Sequence, residues 1–335
     1  MCKVLIIPAI KKEYQKNATL FVKEMMKELT PGNDDGCGYA AIDDDGNLFG
    51  ERWLVNKTAF FNDFSFMKSF KDVVPLPDNL VKNRFGEGSI NNFRAITLHT
   101  RASTNTKSIE NTHPFVYEDW DTSLIHNGVI SNHEKFTKVN STCDSEVILS
   151  NYVKHEVAIN PKAIQDMVSE LEGYYVAALF SRDNEGNRIL DLFNGHNENL
   201  FLSFVNELDT YVICTSARDV IDVCKRLNFS VTGDFKFSDG NFLRINPFTG
   251  EVMIKEKIKV GDRYKQITSY YSNGYYSDYY HGTNVVDATK QNSFTQRFNR
   301  KKLTKEHQRM LACVPNVRLV VGQEKEEILK SLMEG

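Results

Sequence analysis

Apolar and polar positions along the chain fall into two periods. Lys3–Ala9, KVLIIPA, is a nearly unbroken apolar run, the pattern of a buried strand, here a first strand that begins almost at residue 1. Asn17–Leu29 instead spaces Phe21, Val22, Met25, Met26 and Leu29 three and four apart, which predicts one buried face of a helix. The Pro and Gly of TPGNDDGCG end that helix. Tyr39–Ile42 and Asn47–Arg52 read as a hairpin around the acidic turn DDDGN. Further short β-type runs fall at Arg94–His99, Ser123–His126, Tyr174–Phe180, Arg188–Phe193 and Tyr211–Thr215. Helical patterns fall at Cys143–His155, Pro161–Leu171 and Ala217–Leu227. Antiparallel hairpins with a few amphipathic helices predict a layered α+β protein without internal repeats.

The pattern changes near Val260. Residues 261–292 are rich in Tyr, Ser, Asn and Gly with no apolar period, and read as a linker. Residues 293–335 form a basic tail in which EKEEILKSLM has the composition of a short helix. The expected division is therefore a domain over 2–260, a linker over 261–292 and a C-terminal tail over 293–335.

Composition narrows the possible partners. With 335 residues, 41% hydrophobic, 25% charged and a net charge of -3, the chain has material for one large core and no basic footprint for nucleic acid. No stretch reaches the roughly 20 apolar residues of a membrane span, and the short apolar run near residue 4 is wrongly flanked for a signal peptide. Six cysteines lie far apart with no C-x-x-C pair, which argues against a zinc site or a disulfide framework and fits a reducing cytoplasm. No metal or organic cofactor is implied.

Cys2 follows Met1 directly. A small second residue permits removal of the initiator methionine, and one residue would then carry both a thiol and a free α-amine. Their ordinary pKa values, about 8.5 and about 8, let a proton pass between them at little cost. Arg101, in Leu98–Thr104, stands at a strand end, where a guanidinium can clamp a carboxylate. Asn111-Thr112-His113-Pro114 is a polar loop stiffened by proline. Asn127-Gly128, in Leu124–Asn132, is a favoured tight-turn dipeptide and reads first as one, while its side-chain amide and glycine N–H are two donors for a developing negative charge. Asp144, in Cys143-Asp144-Ser145-Glu146, reads equally as a helix N-cap or as a partner for a substrate ammonium. His126 reads as structural, Cys37 and Cys143 as small core or loop residues, and Asp43-Asp44-Asp45 as a solvated turn.

Taken singly, each of these segments has an ordinary structural reading. In this succession, Cys2, HTRxST, NxHPF, HNGVIxN and DSEV resemble the class II glutamine amidotransferases, the N-terminal-nucleophile glutaminase family. The resemblance runs from Cys2 to about Ile258. It includes the glycine-bearing segment Gly36–Ile42, the strand at Gly173–Val176, the Thr215-Ser216-Ala217 turn and a closing hairpin around Phe242–Ile245. Ala102, where the family often has Trp, and Asn105-Thr106 depart from it.

The resemblance implies a four-layer αββα sandwich of two antiparallel sheets. It also implies catalytic roles for Cys2 as nucleophile and for Asn127 and the Gly128 N–H as oxyanion donors. Arg101 would take the glutamine α-carboxylate and Asp144 its α-ammonium, with Thr104 and His113 lining or supporting the pocket. Glutamate and ammonia would be released through a Cys2 thioester. Family enzymes usually carry a second domain that consumes the ammonia, and the stretch after Val260 shows no motif of one. The expectation is a cytoplasmic glutaminase subunit serving a separate synthase. An amidohydrolase acting on another small amide and a non-catalytic regulatory module of the same fold are the alternatives.

Overall fold

The computed structural model describes residues 2–33, 35–54, 81–102, 107–138, 140–196 and 199–261. The strands in chain order are β1 (Lys3–Ile7), β2 (Gly36–Ile42), β3 (Leu48–Leu54), β4 (Val81–Phe85), β5 (Ala95–Arg101), β6 (Phe115–Tyr117) and β7 (Thr122–Ile130). They continue as β8 (Gly173–Arg182), β9 (Arg188–Gly195), β10 (Phe201–Val205), β11 (Thr210–Cys214), β12 (Val231–Lys236), β13 (Asn241–Ile245) and β14 (Val252–Lys257). The α-helices are α1 (Gln15–Leu29), α2 (Glu146–Lys154), α3 (Ile164–Ser169) and α4 (Ala217–Leu227).

Two sheets result, an eight-stranded one in the order β12-β10-β11-β1-β5-β2-β3-β4 and a six-stranded one in the order β14-β13-β9-β8-β7-β6. Alternation along each strand divides its side chains between two cores. Val4 and Ile6 of β1 join Ile125, Val176 and Leu190 between the sheets. Leu5 and Ile7 of the same strand join Phe21, Met25 and Val223 under α1 and α4. On the far face of the second sheet, Leu124, Leu179 and Phe193 pack beneath α2 and α3 through Ile148, Tyr152 and Met167. The αββα expectation therefore holds. It also explains the unbroken run in β1, which is buried on both faces.

Helix α1 buries Phe21, Val22, Met25, Met26 and Leu29, the residues its period marks. Its last carbonyls are satisfied by side chains: Thr30 Oγ1 donates to Met26 O at 2.7 Å, and Asn33 Nδ2 and Thr100 Oγ1 donate to Leu29 O at 3.2 and 3.0 Å. Thr100 thereby ties the helix end to the last turn of β5. At the opposite end of the sandwich, arginines join the sheets. Arg182 and Arg188 reach from β8 and β9 to the Gly46 carbonyl at 3.1 and 3.0 Å, and Arg94 reaches the Phe248 carbonyl at 3.0 Å.

Several expectations shift. Asn127-Gly128 is not a turn: both residues lie inside β7, paired to Val176 and Tyr175 of β8. The helix expected from Cys143 starts at Glu146, and the one expected over Pro161–Leu171 is a 3-10 turn leading into the shorter α3. β4, β6, β10 and β12 carry no clear period of their own and pair because neighbouring strands are presented to them. Apart from Gly261, whose carbonyl contacts His196 Nε2 at 2.8 Å, the linker 261–292 and the tail 293–335 lie outside the described residues. No described helix is long and apolar enough to cross a membrane.

Candidate active site

Residue 2 is fixed by the strand that follows it. β1 lies inside the eight-stranded sheet between β11 and β5. Its start is pinned by the Lys3–Asp219 ion pair at 2.8 Å and by Thr215, whose Oγ1 and N–H bond the Val4 N–H and carbonyl, both at 3.1 Å. Lys3 pairs with Thr100, so one further step along the ladder brings Cys2 across from Arg101. The Cys2 thiol lies 3.7 Å from the Ala102 carbonyl.

Alternation then sets which way each group faces. Cys2 shares its side of β1 with Val4 and Ile6, Arg101 shares its side of β5 with Ala95, and Asn127 shares its side of β7 with Ile125. Val4, Ile6, Ala95 and Ile125 all belong to the core between the sheets. Since β1 and β5 pack on β7, Cys2, Arg101 and Asn127 face one inter-sheet cleft near its end.

Gly128 has φ +146°, and a Cβ there would sit 2.0 Å from the Tyr174 carbonyl, so no other residue fits. β6 covers β7 only as far as Leu124. Beyond it, the Ile130 N–H donates to Asp144 Oδ2 at 2.8 Å. The Gly128 N–H, two residues back on an antiparallel ladder, points to that same edge. The Asp144 carboxylate is thus a brace on β7 rather than a helix cap, since α2 has Ser145 at its N-cap position with no side-chain cap bond.

Two loops complete the surroundings. Gly38 of β2 leaves room for the His113 backbone, since a Cβ there would stand 2.4 Å from His113 O, and Gly36 leaves room for the Thr112 side chain. Arg52 holds that loop through the Thr112 and Pro114 carbonyls at 3.0 and 3.2 Å. Asn111 exchanges two bonds with Thr142, at 2.9 and 3.0 Å, which joins this loop to the one bearing Asp144. Buried Glu146 organises the Asp144 loop, accepting from the Asn140 and Ser141 N–H groups and the Ser141 hydroxyl at 2.8 Å and from the Tyr117 hydroxyl at 3.0 Å. Glu146 lies in the DSEV segment, yet nothing in the sequence marks it as the loop's anchor. Thr104 lies outside the described residues. No group of three or more His, Cys, Asp or Glu among the described residues is arranged to hold a metal ion.

Burial pushes the Cys2 thiol pKa up; Arg101 draws it down and Asp144 adds to the rise. The thiol is therefore protonated at neutral pH and needs a base before it attacks anything. Behind the cleft, burial also holds three imidazoles below their ordinary range: His99 at about 3, His113 well below and His126 lowered.

Because the unfolded chain binds these protons near pH 6.5 and the folded chain does not, stability is lost as pH falls from about 6.5 toward 3. Each imidazole kept neutral contributes a slope of about 1.4 kcal/mol per pH unit. Denaturant melts between pH 6 and 4 are expected to show a slope shallower by about that amount in His99→Gln than in the unmutated chain. Parallel slopes would rule this linkage out.

The chain is 30% identical over 195 residues to a glutamine--fructose-6-phosphate aminotransferase of Bordetella pertussis, a match spanning 54% of this chain and 28% of the relative. It is 34% identical over 96 residues to the enzyme of that name from Shewanella oneidensis, spanning 25% of this chain and 15% of the relative. The chain thus spans under a third of the length of these relatives. No family model matches it. Among solved structures, the glutamine phosphoribosylpyrophosphate amidotransferase of B. subtilis superposes with a TM-score of 0.52 at 16% identity, covering 77% of this chain and 49% of that one. An allosteric regulatory enzyme of purine biosynthesis superposes with a TM-score of 0.51 at 16% identity, with the same coverage. Two helix-covered antiparallel sheets, the order of the motifs around Cys2 and these relatives together make the chain similar to the class II, N-terminal-nucleophile glutamine amidotransferases.

Proposed function

We propose that the chain hydrolyses L-glutamine to glutamate and ammonia through a thioester on Cys2, the ammonia passing to a partner synthase or other acceptor. The observation that carries this reading is the convergence of Cys2, Arg101 and Asn127 on one inter-sheet cleft, with Asp144 braced beside it.

With Met1 removed, the Cys2 α-amine takes the thiol proton and the sulfur attacks the side-chain carbonyl carbon of glutamine. The electron pair displaced onto oxygen is met by the Asn127 amide and the Gly128 N–H, donors supplied by adjacent residues, one from a side chain and one from the backbone. Collapse expels the amide nitrogen, which leaves as ammonia with the proton held by the α-amine. Water, deprotonated by the same amine, then cleaves the thioester and restores the thiol. Arg101 and Asp144 offer opposite charges for the α-carboxylate and α-ammonium of an amino acid. Among the described residues, the Asp144 oxygen not held by Ile130 accepts a weak bond from the Cys143 thiol, at 3.5 Å. His113 supports the pocket and Thr104 lines it.

These roles separate in kinetics. Asn127→Ala is expected to lower kcat by about 100- to 1000-fold with KM nearly unchanged, because its amide acts on charge that develops only in the transition state. Arg101→Ala and Asp144→Ala are expected chiefly to raise KM. Coupled detection of glutamate checks both. Failure of Met1-free protein to release glutamate, alone or with ammonia-accepting partners, would overturn the reading.

A further inference from the structure

Three buried imidazoles stand in a file behind the cleft. The rings of His99 and His113 have centroids 4.0 Å apart at 36°, and His113 and His126 are 6.2 Å apart. His126 Nδ1 lies 2.7 Å from Ser145 Oγ. His99 precedes Arg101 by two residues on the same face of β5. His126 immediately precedes Asn127, and Ser145 immediately follows Asp144. His113 comes from the loop seated on Gly36 and Gly38. Arg101, Asn127, Gly128 and Asp144 are thus each one or two residues from the file or from the hydroxyl that ends it.

We infer that His99, His113 and His126 are positioning residues, a file of neighbouring rings closed by Ser145 that sets the spacing between Arg101 on one sheet and Asn127 and Asp144 on the other. The inference rests on the glutamine reading above and extends it.

Simple packing does not account for these rings. Both His113 nitrogens and His126 Nε2 are buried without a hydrogen-bond partner among the described residues, a cost an apolar side chain of similar size would avoid. Charge fits the role. Burial first, then the neighbouring imidazoles, then Arg101 for both His99 and His113 and Arg52 for His113, all disfavour an added proton there. Burial lowers His126 as well, but the charge that acts on it is Asp144, which works against that shift and favours the protonated ring. A proton entering the file therefore settles on His126, where it competes for the carboxylate that the substrate ammonium requires. KM for glutamine rises in acid as a consequence.

The test compares His126→Leu, which removes the ring and its link to Ser145, with His126→Asn, which restores a polar atom near the Nδ1 position. Steady-state glutaminase kinetics across pH 5 to 8, thermal unfolding and the rate of Cys2 alkylation by iodoacetamide are measured on the full chain. The expected result is a 10- to 100-fold loss of kcat/KM in His126→Leu, on the order expected for misplacement by about an ångström. Its melting temperature should not fall in parallel. His126→Asn should recover most of the loss, and the acid rise in KM should disappear in both variants.

Parallel loss of stability and activity in both variants would overturn the inference, as would unchanged kinetics with the acid rise intact. Alkylation separates this outcome from failure of the glutamine reading, since the Cys2 thiol senses Arg101 and Asp144 without turnover. If the unmutated chain proves inactive on glutamine, an altered alkylation rate in His126→Leu, restored in His126→Asn, still upholds the file, and an unaltered rate rejects it.

Discussion

Cys2→Ala is expected to abolish glutamate release, a loss of at least about 10⁴-fold, because the variant lacks the sulfur on which the thioester forms. The fold should barely notice. Cys2 precedes β1, its thiol makes one long contact with Ala102 O, and the strand is held by Lys3, Val4 and the ladders on both sides. Unfolding free energy should change by no more than about 1 kcal/mol. A variant carrying an uncleaved N-terminal extension separates nucleophile from base: the thiol remains, the amine is acylated, and activity should be equally absent. Burial makes this second result informative, since a thiol pushed upward in pKa does not ionise unaided at neutral pH. Residual turnover in Cys2→Ala above the buffer rate would remove Cys2 from the chemistry.

The largest stability effect is expected at Arg244. Its guanidinium bonds both Asp191 oxygens at 2.8 and 2.7 Å and the carbonyls of Val157 and Ala158 at 2.8 and 2.9 Å, while Tyr152 donates to Asp191 at 2.6 Å. This network ties the end of α2 to β9 and β13 inside the core beneath the helices. Arg244→Met strands a fully buried carboxylate and should cost about 3–5 kcal/mol. Replacing both partners in Arg244→Met/Asp191→Leu should recover much of that, since the desolvation of the pair is avoided as well. Denaturant unfolding of the single and double variants checks this. A single variant that loses under about 1 kcal/mol would show the network to be dispensable. Activity per folded molecule should persist, because β8 separates this cluster from β7.

Much of the molecule is written locally. The 3.6-residue period of α1 and the start of α4 at Ser216-Ala217 appear in the structure nearly as expected. The Asp43–Asn47 turn also holds, with the Asp43 carboxylate bound to its own turn's N–H groups at 2.9 and 2.8 Å. Such features depend on side chains a few residues apart, so a single stretch of sequence contains their cause. Asn127-Gly128 shows where local reading fails. As a dipeptide it favours a turn, but the pairing of Ser123–Ile130 with β8 outweighs that preference, and its glycine is required by the Tyr174 carbonyl of a strand far away in sequence.

The layered class, the early buried strand, the position of Cys2 at its head and the succession of motifs resembling a glutamine-binding family are all legible along the chain. It took the packed molecule to bring Cys2 and Arg101 of one sheet and Asn127 of the other to the same cleft, to make Asp144 a brace on β7 rather than a helix cap, and to make Glu146 the anchor of its loop. The alignment of His99, His113 and His126 into one file was also decided there. The reason is physical: periodicity and capping act over a few residues, whereas ladder register and burial are set by strands that meet only when the core between the sheets closes.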